Sequence, residues 1–380
     1  MFAASLIGIG STLAAAFAFG LMGVGAWWNH DSASALTALW TVAGAVAVAA
    51  ALVPPAYWSG RAVFGAAPSS PGRPSPFWLV PFVGYPVFIL FGWLAHARGV
   101  AQLILGPIAL IGTACLSVAF IAWLVRRLGP PLTPLRSWGH FSVGLTAMPL
   151  AAMFVEFVAL LPLLFLLGVW LLSSPQGQAW VVGLEQSSMD PEAALQSMGE
   201  LLKSPLVLLA VYGYVGLAIP FLEELIKTMA VWPFLRRGLA ADEAFLGGAL
   251  GGAGYALFEA LFLTQPGETW VGTTFARVGA SLLHIFTAAL TSYGLMRAFR
   301  KRRPGLAVVT FVAAMTMHAL WNMAAITIGI SSIPFGATAS PPAGNSNGLV
   351  ALLLLGLTAV SAVGLVAPWR RLRALEAEQG

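Results

Sequence analysis

Residues 142–172 read SVGLTAMPLAAMFVEFVALLPLLFLLGVWLL, an apolar run interrupted by a single ionisable side chain, Glu156. A helix crosses the hydrocarbon core of a bilayer with about 20 predominantly apolar residues. A soluble helix keeps a polar face, and this run has none. Working outward from it, nine further runs of similar character appear, at roughly 3–27, 35–56, 77–97, 101–125, 205–235, 243–265, 273–297, 305–330 and 347–368. The breakers fall between them, as in PSSPGRPSP at 68–76, GPPLTP at 129–134 and the Pro/Gly/Ser stretch 333–347.

The composition agrees. Of 380 residues, 59% are hydrophobic and 9% charged, where a soluble domain carries roughly 25% charge. Mean hydropathy is +0.85. Too few polar residues remain to coat a globule, and apolar content is too high for disorder. A membrane barrel needs segments of about ten alternating residues, whereas these runs are unbroken. The expected fold class is all-α, a polytopic transmembrane helical bundle of about ten spans in a lipid bilayer. The single cysteine, Cys115, allows no intrachain disulfide and no thiolate metal cage. The N-terminus is apolar from Phe2 without a basic leader, so it reads as a retained helix.

Charge sets the expected orientation. Arg126, Arg127 and Arg136 share one loop, Arg236 and Arg237 another, Arg297, Arg300, Lys301, Arg302 and Arg303 a third, and Arg370, Arg371 and Arg373 follow the last span. With ten spans all four clusters fall on one side, which the positive-inside rule makes cytoplasmic, with both termini. Arg98 is a minor exception. The loop 173–204, with Glu185, Asp190, Glu192, Glu200 and Lys203, falls outside and has room for one or two surface helices. Basic charge placed beside spans accounts for a pI near 9.7 without nucleic acid. GGALGGAG at 247–254 lacks the Gly-Lys-Ser/Thr of a phosphate loop. The Ala/Gly/Arg richness suits a bacterial cell membrane. Three regions result: 1–204 with five spans, 205–331 with four, and 332–380 with the last span and a tail.

Region 205–331 holds nearly all the intramembrane ionisable groups. A charge at the bilayer centre costs about 2.5–3.5 kcal/mol on the insertion scale, so such groups mark function by default. The sixth span carries Glu223, Glu224 and Lys227 in PFLEELIKTMAVW; the seventh Glu259 in GYALFEALF; the eighth His284 in LLHIFTAAL; the ninth His318 and Asn322 in MHALWNM. At about 1.5 Å rise per residue, Glu224 comes about 18 Å from the cytoplasmic end, Glu259 about 23 Å, and His284 and His318 about 20 Å each. Four groups at one height on consecutive helices are expected to converge. Glu223 and Lys227, like His318 and Asn322, are i,i+4 neighbours. Gly247, Gly248, Gly251 and Gly252 form overlapping small-xxx-small patterns, and Gly248 and Gly252 share a face with Glu259.

The chemistry open to such a set is narrow. A glutamate serves as general base for water. Glu259, His284 and His318 have the donor chemistry of a divalent metal site, zinc being the natural occupant. Alternatively a histidine with Asn322 stabilises an oxyanion. Either way the parts suit amide hydrolysis, with Glu224 and Glu223 activating water. Structural readings accompany these: Glu223–Lys227 as a neutralising pair, Asn322 as interhelical glue, and Glu156 paired with Lys227 or a polar helix face. Arg277 is expected to snorkel, His140 and His96 to sit at the interface, and most of the fourteen tryptophans to form belts.

These four motifs, in this order, resemble the PrsW family of intramembrane proteases, related to the CAAX-type and bacteriocin-processing membrane peptidases. The family pattern is Glu-Glu-x-x-Lys, an aromatic-flanked Glu, a His, and a His followed four residues later by Asn. Here these are Glu223-Glu224 with Lys227, Phe258-Glu259, His284, and His318 with Asn322. Ala260 departs from the family's frequent Asn after the glutamate. The resemblance implies cleavage of a membrane-anchored, single-pass protein substrate such as an anti-sigma factor. The alternatives are an ion- or proton-coupled transporter, against which stands the absence of repeated halves, and a non-catalytic membrane scaffold.

Overall fold

The computed structural model describes residues 1–74, 79–97, 101–187, 199, 201–202, 204–235, 239–264, 270–331, 345–369 and 371–372. Arg98, Asp190, Glu192, Glu200, Lys203, Arg236, Arg237, Arg370 and Arg373, named above, lie outside these. Every regular element among the described residues is helical; the one β-bridge joins Gly72 and Leu132. The elements are α1 (Phe2–Trp28), α2 (Ser32–Ala51), α3 (Val53–Val63), α4 (Leu79–Ala97), α5 (Ala101–Leu128), α6 (Pro134–Leu145), α7 (Ala147–Ser173), α8 (Pro175–Ser187), α9 (Pro205–Gly213), α10 (Ile219–Lys227), α11 (Trp232–Leu235), α12 (Ala241–Phe262), α13 (Trp270–Lys301), α14 (Pro304–Ser331) and α15 (Asn345–Val366).

Among the described residues nine stretches are long and apolar enough to cross a membrane, and Val80–Ala95 is a shorter apolar helix. Together they occupy the ten stretches read from the sequence. Asp31 caps α2 by accepting from the Ser34 amide at 3.0 Å, and hydrogen bonding to the Ser34 side chain and then to this amide holds its carboxyl below the usual carboxylate range. Thr133 caps α6 in the same way, with Pro134 at the first helical position.

The helices sort into two units. The first comprises Met1–Pro149, Lys227–Ala314 and Val360–Gly380; the second comprises Leu150–Ile226 and Met315–Ala359. In the first unit α12 runs between α6 and α13. It is apolar all round and buried along nearly its whole length, as such a helix must be. Its glycines make this possible. A Cβ at Gly254 would lie 2.2 Å from the Phe141 carbonyl oxygen of α6, and one at Gly252 2.6 Å from the His284 carbonyl oxygen of α13. No side chain fits either position, so backbone rests on backbone. Elsewhere in this unit α1 lies on α2 and α4 on α5.

The sixth span is not one helix, in contrast to the sequence reading. It breaks into α9, a π-helical turn at Tyr214–Ala218, α10, a 3₁₀ turn at Thr228–Ala230 and α11. Pro220 explains the first break. Ile219 donates its amide to Tyr214, five residues back. The next bond of that pattern would run from residue 220 to the Val215 carbonyl, but proline has no N–H. Asn322 supplies the missing donor, its side-chain amide reaching the Val215 oxygen at 3.0 Å. Tyr212 and Thr327 join hydroxyls at 2.8 Å, and the Tyr214 hydroxyl donates to the Glu156 carbonyl at 2.6 Å. Gly216 faces Met323 closely, since a Cβ there would meet its Cγ at 2.9 Å. The second unit thus fastens the widened turn to α14 and α7.

Two other expectations change. His140 is not interfacial: it is 1% exposed, its Nδ1 lies 2.7 Å from the Ala230 carbonyl oxygen, and its ring fills the space over Gly247. Trp40, Trp270, Trp321 and Trp369 are buried rather than belt residues.

Candidate active site

The structure gathers the expected residues into two clusters, one in each unit. In the first unit α12 presents Glu259 and α13 presents His284. Glu259 Oε2 lies 2.9 Å from His284 Nε2 and 3.4 Å from an Arg277 guanidinium nitrogen. The other ring nitrogen, His284 Nδ1, lies 2.6 Å from Lys227 Nζ. The Lys227 ammonium also sits 5.2 Å from the centre of the Tyr255 ring, within cation–π range. Arg277, Glu259, His284 and Lys227 therefore form a continuous polar chain through an apolar helix pair. Lys227 is fully buried. An alkylammonium is costly there unless every donor finds an acceptor.

In the second unit His318 stands beside two carboxylates. Its Nδ1 is 3.0 Å from Glu224 Oε1, and its Nε2 is 3.8 Å from Glu223 Oε2. The two ends differ in kind. The first is a hydrogen bond, which places the ring proton on Nδ1 and turns the Nε2 lone pair toward Glu223. The second is too long for a hydrogen bond. Glu224 and His318 are almost entirely buried, so water does not weaken the contact.

Chain continuity relates the clusters. α10 carries Glu223 and Glu224 in the second unit and ends at Lys227 in the first. Successive residues on a helix are turned by about 100°. The Glu-Glu-x-x-Lys spacing thus gives one short helix a foot in each cluster.

Every histidine and glutamate expected from the sequence lies in a cluster. Asn322 instead sits one turn along α14, on the Val215 carbonyl. Arg277, expected to snorkel, turns inward to Glu259. Tyr255 and Arg277 were not singled out as site residues. Both carry a legible signal: Tyr255 is four residues before Glu259 and Arg277 seven before His284, so each shares a helix face with a residue of the cluster.

Residues 159–340 match the family model described as PrsW family intramembrane metalloprotease. Over this stretch the chain is similar to a family of membrane-embedded peptidases. The matched residues contain all seven expected site residues and amount to just under half of the chain. No curated protein and no solved structure matches the chain.

The metal implied by the PrsW description can be tested against the donors present. Each histidine has one ring nitrogen fixed by a carboxylate, His284 by Glu259 and His318 by Glu224. Metal-binding histidines are held in this way. At His284 the other nitrogen, Nδ1, lies beside the buried Lys227 ammonium. At His318 it faces a carboxylate across a gap. The residues fit a divalent cation.

Proposed function

We propose that this PrsW-type peptidase cleaves a membrane-anchored, single-pass protein, of which an anti-sigma factor is the type, by attack of a glutamate-activated water. The observation that carries the reading is His318 between two carboxylates, hydrogen-bonded to one and held off from the other. Glu223, 3.8 Å from His318 Nε2, takes the proton from the attacking water. Glu224 fixes the His318 tautomer. Glu259, expected from the sequence as a ligand, has Oε2 shared by His284 and Arg277, and it orients His284. The imidazoles of His284 and of His318 are each the kind of nitrogen donor a divalent ion takes, zinc above all. Such an ion lowers the pKa of bound water and polarises a carbonyl. Lys227 offsets the charge of Glu259 and holds His284 Nδ1. Asn322 holds the π-helical turn that aims α10. The protein resides in a bacterial cell membrane with both termini cytoplasmic, as the arginine clusters favour.

The test compares native N-termini of membrane proteins in cells carrying wild type, Glu223→Gln or Glu224→Gln. New N-termini beside a transmembrane segment are expected with wild type and absent with Glu223→Gln, which still inserts and retains metal. Glu224→Gln weakens metal affinity about 10- to 100-fold, the usual cost of losing an orienting carboxylate, and added zinc restores part of its activity. Full cleavage by Glu223→Gln removes the base assignment.

A further inference from the structure

The first unit contains a cavity of about 320 Å³ that belongs to neither cluster. Its wall is apolar: Ala51 at the end of α2, Val118 and Ala122 of α5, Phe141 of α6, and Leu250 and Leu257 of α12 contribute. Cys115 also lines it, with the indoles of Trp123 and Trp138. One charged group, Arg126, reaches it, together with Pro74 from the loop between α3 and α4. That loop is tied across: Gly72 donates to the Leu132 carbonyl at 3.4 Å, and an Arg126 guanidinium nitrogen reaches the Gly72 carbonyl at 3.4 Å.

Size and charge decide the occupant. A substrate helix, about 10–12 Å across, needs several times this volume. A methylene fills about the volume of a water, roughly 30 Å³, so the cavity takes about ten, the length of much of an acyl chain. Around Arg126 the charge is one-sided. Arg73 adjoins Pro74, Arg127 adjoins Arg126, and none of the three makes an ion pair with a described residue. Arg136, by contrast, is paired with Glu243. Three arginines with no ion pair among the described residues, beside an apolar slot at the end of a span, match the two halves of one molecule.

We propose that this cavity binds an anionic phospholipid, its acyl chain against Val118, Ala122 and Leu257 and its phosphate against Arg73, Arg126 and Arg127. The proposal is independent of the peptidase chemistry. It makes α2, α5, α6 and α12 share a bound lipid as a fourth side of their packing.

Cys115 is the only cysteine in the chain, so its alkylation reads occupancy without mutation. The purified full-length protein is placed in nanodiscs of phosphatidylcholine with or without phosphatidylglycerol, and the rate of Cys115 modification by N-ethylmaleimide is followed by mass spectrometry. Phosphatidylglycerol is expected to slow it at least fivefold; inorganic phosphate in phosphatidylcholine discs leaves it unchanged. The triple variant Arg73→Gln, Arg126→Gln, Arg127→Gln is expected to bring the two lipid rates within twofold. Ala122→Trp, which fills the slot, is expected to remove retained phosphatidylglycerol in native mass spectra. Equal Cys115 rates in the two lipids overturn the proposal. So does protection by inorganic phosphate, which would make the arginines a simple anion site, and so does an intact lipid preference in the triple variant.

Discussion

Replacing Asn322 with alanine removes the donor that Pro220 cannot supply to the Val215 carbonyl. A buried acceptor left without its partner costs about 1–3 kcal/mol. Membrane surroundings offer no water to replace it. Pro220→Ala returns a backbone N–H at the position from which the helix pattern would serve Val215, and also removes a residue that costs about 3 kcal/mol inside a helix. On that background Asn322→Ala is expected to cost less than about 0.5 kcal/mol, the remainder being coupling between the two positions. The double-mutant cycle is read from unfolding in mixed micelles as denaturing detergent is raised, with tryptophan fluorescence as signal. Function separates from stability. If Pro220→Ala closes the π-helical turn, Glu223 and Glu224 rotate by about 100°, so this more stable variant loses cleavage. Equal costs of Asn322→Ala on the two backgrounds would refute the reasoning. Loss of cleavage in Asn322→Ala at unchanged stability would return Asn322 to the oxyanion role.

Gly252→Ala places a Cβ 2.6 Å from the His284 carbonyl oxygen and 2.8 Å from the Ile285 Cα, both backbone atoms of α13. It is expected to destabilise by about 1–3 kcal/mol, despite alanine's helix preference. Gly10→Ala in α1, where nothing lies within 4 Å, is neutral or stabilising by up to about 1 kcal/mol; a Gly252→Ala protein that melts no lower than Gly10→Ala contradicts the packing described. Removing a nitrogen donor by His318→Ala or His284→Ala is expected to strip the divalent metal from purified protein, measured by elemental mass spectrometry. Lys227→Met, which removes the ammonium beside His284 Nδ1, is expected to keep or tighten metal binding; metal lost on that change instead makes Lys227 part of the bound state.

The helical class and the ten apolar stretches were legible because lipid imposes a blunt rule: about 20 apolar residues, whatever their order. The same bluntness hid the interior of the sixth span. Pro220 sits in an apolar run like any other residue, and its effect appears only when the carbonyl it abandons is traced to Asn322, 107 positions away. Site membership was legible for a related reason. Charge inside a membrane is expensive, so Glu223, Glu224, Lys227, Glu259, His284 and His318 stand out by type alone. Which charge meets which did not follow from spacing. The i,i+4 rule lets Lys227 pair with Glu223 on its own helix, but it says nothing of the contact between Lys227 Nζ and His284 at 2.6 Å. Arg277 shows the limit most clearly. By position it belongs to a span end, where long basic side chains escape to water. Glu259 is near enough to outcompete that escape, at 3.4 Å and with the arginine side chain only 27% exposed. Burial then adds what spacing lacks: a carboxylate in so apolar a helix pair draws any donor within reach, and Arg277, seven residues before His284 on the same face of α13, is one.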